Sequence, residues 1–88
     1  MKTNGYYILA FDSTHHAIRV EEQLKQRELG GEMVPTPRDI DASCGLSIRF
    51  LERNLELVRD LVDSSKNRVR LYRVDGVGGK AVYIEQEL

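Results

Sequence analysis

Cys44 is the one cysteine among 88 residues. It stands in Pro35-Thr36-Pro37-Arg38-Asp39-Ile40-Asp41-Ala42-Ser43-Cys44-Gly45, the stretch that no regular hydrophobic period explains. A lone thiol forms no internal disulfide, and it lacks the further sulfur or imidazole ligands of a structural zinc site. Two readings remain open, a buried apolar filler and a single exposed thiol that carries something. Exchange chemistry needs the thiolate, and a cysteine with an ordinary pKa of about 8.5 needs neighbouring cations or amide donors to ionise at neutral pH. Arg38, in the same stretch, and Arg49, on the strand that Cys44 opens, are the candidate cations, with the backbone amides of Gly45 and Leu46 as further donors.

The frame around the thiol is also informative. About ten residues separate Val34 from Leu46, long for a connection between neighbouring antiparallel strands, which hairpins of roughly 2–5 residues join. Val34 and Thr36 each precede a proline and are pushed toward extended backbone, so Pro35, Thr36 and Pro37 predict a stiff arm. Gly45 next to the thiol admits close approach of another molecule. Against a carrier role, Cys44 shares strand parity with Leu46 and Ile48, which points it into the core if the strand begins that early.

Other groups carry weaker signals. Neighbouring side chains on a helix diverge by about 100°, so His15-His16 chelates poorly and reads as a solvated first helical turn. In a ferredoxin-like sheet the first and third strands are expected to run parallel, which puts that helix start at the opposite end of the sheet from Cys44 and disfavours a thiol–histidine dyad. Gly76-Val77-Gly78-Gly79-Lys80 lacks the glycine spacing of a phosphate loop, has Ala81 where a magnesium-binding hydroxyl belongs, and precedes a strand, so it reads as a hairpin turn. Arg68, Arg70, Tyr72 and Arg73 read as a charged edge strand that blocks aggregation.

These residues need a scaffold. Tyr6 to Phe11 is a nearly continuous apolar run, the pattern of a central strand. Asp12-Ser13-Thr14 caps a helix whose inner face carries Ala17, Val20 and Leu24, ended by Gly30-Gly31. Glu32-Met33-Val34 is a short strand stopped by Pro35. Leu46 to Phe50 alternates as a half-buried strand and leads into a helix with Leu51, Leu55, Val58 and Val62 inward. Val69 to Val74 and Ala81 to Ile84 complete the pattern. The expected fold is α+β, a ferredoxin-like βαββαβ two-layer sandwich with room for an extra C-terminal strand, in a single domain over 1–88.

Thirteen basic and 14 acidic residues give a net charge of −1, so no general field attracts nucleic acid or an anionic membrane. No apolar run is long enough for a membrane span, and a cytoplasmic location is expected, where a free thiol stays reduced.

Pro35-Thr36-Pro37-Arg38 followed by Cys44-Gly45-Leu46, together with Phe11-Asp12-Ser13-Thr14, Ala17 and Glu21, resembles the selenium/sulfur carrier-like family of small bacterial proteins. That family is distantly similar to TusA-type carriers, whose cysteine sits in Cys-Pro-x-Pro at a helix start, whereas the prolines here precede the cysteine. The resemblance implies that Cys44 takes up sulfur or selenium as a persulfide or its selenium analogue and delivers it to an acceptor enzyme. Pro35, Pro37, Arg38 and Gly45 then form its frame, Pro35, Thr36 and Pro37 form a partner-binding loop, no cofactor or metal takes part, and the partners are donor and acceptor proteins. The residues also leave open a regulatory or interaction module, with a structural cysteine and a homodimer formed through the sheet or an exposed edge.

Overall fold

The computed structural model describes residues 5–40, 45–62, 69–77 and 80–87. In chain order they form β1 (Tyr6–Phe11), α1 (Thr14–Gln26), β2 (Glu32–Pro35), β3 (Leu46–Leu51), a 3-10 turn (Glu52–Asn54), α2 (Leu55–Leu61), β4 (Val69–Val77) and β5 (Lys80–Gln86). The strands make one five-stranded sheet in the order β2-β3-β1-β4-β5, every neighbouring pair antiparallel. The fold is therefore α+β, with an antiparallel sheet and two helices.

Strand alternation divides the apolar residues between two faces. Tyr7, Leu9 and Phe11 of β1, Ile48 and Phe50 of β3, and Val69 and Leu71 of β4 meet Ala17, Val20 and Leu24 of α1 and Val58 of α2, so both helices pack on one face. Fully burying a side chain such as Leu9, Phe11, Leu24, Ile48 or Leu71 contributes roughly 1.5–3 kcal/mol each, which makes this the principal core. Ile8 and Ala10 of β1 and Tyr72 and Val74 of β4 form a second cluster on the opposite face, with Tyr6 and Tyr83 packed against it. Because β1 is central and paired on both sides, it is covered on both faces, as its continuous apolar run requires.

Helix α1 begins where Ser13, in extended backbone, accepts a hydrogen bond on Oγ from the His16 amide at 3.3 Å. It ends earlier than Gly30-Gly31 suggested. Glu28 adopts a left-handed φ of 57°, the Glu28 amide donates to the Lys25 carbonyl and the Leu29 amide to the Leu24 carbonyl. That pair of bonds is a Schellman cap with glutamate in the place glycine usually holds, and Leu29 packs back on the core beside Leu24. Gly31 is needed for a different reason: a Cβ there would lie 2.4 Å from Leu24 Cδ1 and 3.2 Å from Ile48 Cγ2. Asn54 Nδ2 donates to the Leu29 carbonyl at 2.7 Å, tying the start of α2 to this same corner.

Four expectations are corrected. β1 and β3 run antiparallel, pairing Tyr6 with Leu51 and Ala10 with Ser47. The crossover through α1 makes β2 parallel to β1, and β3 must turn back against β2. The start of α1 and the start of β3 therefore lie at the same end of the sheet, and the opposite-end objection to a thiol–histidine dyad falls. His16 is not solvated: it is 8% exposed and lies edge-on to the Phe11 ring, 5.2 Å between centroids. His16, Val20 and Leu24 fall at i, i+4, i+8, so the histidine belongs to the buried stripe. The arginine-rich strand β4 is no edge, since β1 flanks it on one side and β5 on the other. Finally, Leu51 ends β3 and a 3-10 turn precedes α2, which is shorter than its apolar spacing suggested. β4 and β5 pair as antiparallel neighbours with Val77 opposite Lys80, while Gly78 and Gly79 of the expected turn lie outside the described residues.

Candidate functional site: the loop between β2 and β3

Pro35 closes β2 opposite Leu46, and beyond this last pair the chain leaves the sheet. Two contacts fasten the base of the loop. The Thr36 amide donates to the Gly45 carbonyl at 2.9 Å, and the Thr36 and Ser47 hydroxyls share a hydrogen bond of 2.7 Å. Ser47 is completely buried, on the sheet face away from the helices, since it lies opposite Ala10. A proline must end the ladder here because it has no amide hydrogen to give, and Thr36 supplies the next donor.

From that base the chain turns tightly. The Ile40 amide donates to the Pro37 carbonyl at 3.0 Å, which leaves Arg38 and Asp39 exposed at the centre of the turn. Ile40, 5% exposed, joins Ile8, Ala10, Tyr72 and Val74 in the second cluster. The described arm of the loop, 36–40, is therefore anchored by one aliphatic side chain on the face that no helix among the described residues covers. Loops whose ends meet in this way and whose own side chain fills the space beneath are frequent carriers of function.

Cys44, with Asp41, Ala42 and Ser43, lies outside the described residues; the positions that bracket it, Ile40 and Gly45, lie within them. Gly45 is exposed, and among the described residues nothing stands within 4 Å of where its Cβ would be. Packing within the described fold gives no reason for glycine here.

Arg49 keeps other company. Its guanidinium pairs with Glu32, directly across the β2–β3 ladder, and lies over the Tyr6 ring with Cζ 5.4 Å from the centroid. The hydrogen bond that Arg49 Nη2 donates to the Glu32 carboxylate holds the guanidinium above its ordinary pKa. Arg49 follows Gly45 by four positions along the chain, about 13 Å of extended strand. With Tyr6, Gly30, Glu32, Phe50 and Leu51 it lines a cleft of about 360 Å³. The structure thus groups Pro35, Thr36, Pro37, Arg38 and Gly45 in and beside the loop, and holds Arg49 with Glu32 and Tyr6 further along β3.

Sequence reasoning missed Ser47 and Ile40. An isolated isoleucine inside a polar loop must find apolar cover, and that signal was available. Nothing in an alternating Leu-Ser-Ile-Arg pattern distinguishes a serine buried under a loop from one facing water. Among the described residues no group of three or more His, Cys, Asp or Glu is placed to hold a metal ion. No helix among them is long and apolar enough to cross a membrane.

Residues 6–72 match the protein family described as "Putative Se/S carrier protein-like". No curated protein and no solved structure matches the chain.

Proposed function

Because the chain belongs to the Se/S carrier-like family, we propose that Cys44 carries a sulfur or selenium atom between proteins. The Cys44 thiolate attacks the terminal sulfur of a donor persulfide; the new S–S bond forms as the donor's own S–S bond breaks, and the donor cysteine departs as thiolate. In the second step an acceptor nucleophile attacks the outer sulfur and Cys44 leaves as thiolate. The sulfur keeps its oxidation state across each exchange, so no external oxidant or reductant is consumed. A selenium atom would travel as the corresponding Cys44 sulfur–selenium adduct.

The observation that supports this reading is the family match spanning the loop, whose base is clasped by Thr36, Gly45 and Ser47 and whose arm is anchored by Ile40. A carrier needs its thiol on a presented segment with a fixed origin. Arg38, exposed in the turn, supplies a cation on the same segment. We further read the order β2-β3-β1-β4-β5, with both helices on one face, as a ferredoxin-like sheet extended by a fifth strand, working in the reducing cytoplasm with donor and acceptor proteins as partners.

The test is mass spectrometry after exposure to a small-molecule persulfide. Wild-type protein gains about one sulfur mass, the gain is reversed by a thiol reductant, and Cys44→Ser gains nothing while melting at the same temperature. Wild type that takes up no sulfur overturns the proposal. Labelling of Cys44 only after denaturation would make it a structural residue of an interaction module instead.

A further inference from the structure

The two edges of the sheet are unequal. β2 presents four residues and ends in Pro35, which offers no amide hydrogen to a further strand. β5 presents seven, Lys80–Gln86, all paired with β4 on the inner side and with no proline to interrupt the outer side. Among the described residues no strand pairs with its outer edge, and the Gln86 side-chain amide donates to the Ile84 and Glu85 carbonyls at 3.1 and 3.3 Å; an edge without a neighbouring strand is the feature that invites one.

The side chains of β5 say which strand. Val82 and Ile84 are 43% and 38% exposed, two of the exposed large hydrophobics of the molecule. They lie opposite Asp75 and Arg73 of β4, whose side chains form an ion pair at 3.2 Å beside them. A small apolar patch with a charged rim thus reaches the free edge. Tyr83 points the other way and packs with the second cluster.

We propose that this protein forms a homodimer by antiparallel pairing of β5 with β5, the two-fold axis passing through Tyr83. Side chains directly opposite in an antiparallel pair share a face, so a two-fold ladder must centre on a residue. Centring on Tyr83 overlaps all seven positions. It sets Lys80 against Gln86, Ala81 against Glu85 and, twice over, Val82 against Ile84. The four aliphatic side chains then form one continuous strip across the junction, and no two like charges meet. Centring on Glu85 would oppose the two Glu85 carboxylates, which is unfavourable. The edge is complementary to itself, and the occupant is a second copy of this chain, giving a ten-stranded sheet. One strand edge with two aliphatic residues per chain is a small interface, in the class at or below roughly 1,200 Å², so dissociation on the order of 1–100 µM is expected. The inference does not depend on Cys44 carrying anything.

Analytical ultracentrifugation of the full chain from about 1 µM to 1 mM spans that range. Wild type should shift toward twice the 10.1 kDa chain mass as concentration rises. Val82→Lys/Ile84→Lys, which sets lysine against lysine, should weaken association at least tenfold. Val82→Glu/Ile84→Lys sets glutamate against lysine only in the Tyr83-centred register and should recover most of the loss. If the double-lysine chain fails to fold, hydrogen exchange on wild type decides, because the outward amides of β5 must gain protection with concentration. A wild type that stays monomeric, a dimer indifferent to the double-lysine change, or a glutamate–lysine chain as weak as the double-lysine chain overturns the proposal.

Discussion

Ser47 shows how a buried polar side chain sets a loop. Its hydroxyl has no exposure to solvent and bonds to the Thr36 hydroxyl, so removing one partner leaves the other desolvated. Thr36→Val should therefore cost about 1–3 kcal/mol in denaturant unfolding, more than the roughly 0.5–1.5 kcal/mol net worth of a typical hydrogen bond. The double change Thr36→Val/Ser47→Ala should recover part of that cost, because no orphaned hydroxyl remains; equal costs for single and double variants would refute the pairing argument. Arg49 matters differently at this scale. Its pKa is raised in the folded state by Glu32, and a raised pKa contributes stability that is complete below the unfolded value and is lost only above the folded one. That window lies at strongly alkaline pH, so the Arg49 charge is constant while a thiol titrates.

At the scale of elements, the helix ends show what residue types conceal. Glycines at 30 and 31 are the natural place to stop a helix, yet the left-handed cap falls on Glu28, two residues earlier. Left-handed backbone costs a non-glycine residue roughly 1–2 kcal/mol, and glycine returns part of that as lost chain entropy. Glu28→Gly should thus raise stability by about 0.5–1 kcal/mol in thermal unfolding; a decrease would show that the cap geometry is wrong. The strands were legible because alternation survives packing: β1, β3 and β4 lie where their apolar residues indicated. The relative direction of β1 and β3 was not, because no local pattern records how a crossover closes. For the same reason the charged strand β4 looked like an edge, since only the seven-residue pairing with β5 moves the edge outward. The proline arm and Gly45 could be read from the sequence as the two ends of the β2–β3 loop, whereas the contacts of Ser47 and Ile40 with that loop show only in the fold.

Across the described residues, the sheet buries apolar side chains on both faces near β1, and no helix among them covers the second face. The loop supplies that cover through Ile40, which ties the site to the stability of the domain. Truncating a buried isoleucine costs about 2–5 kcal/mol when its surroundings cannot collapse, and less when the segment carrying it can lift away. Ile40→Ala should therefore cost less than Ile48→Ala in the helix-facing core, and should speed proteolysis within residues 36–45. An equal cost for the two would mean that the loop and the core unfold together.

The clasp at the base of the loop separates two jobs. Thr36, Gly45 and Ser47 fasten β2 to β3 at the point where the chain leaves the sheet, so the register of the two strands is set at the base and not at the tip. Exchanging that tip for another of equal length should leave the pairing of β2 with β3 in place.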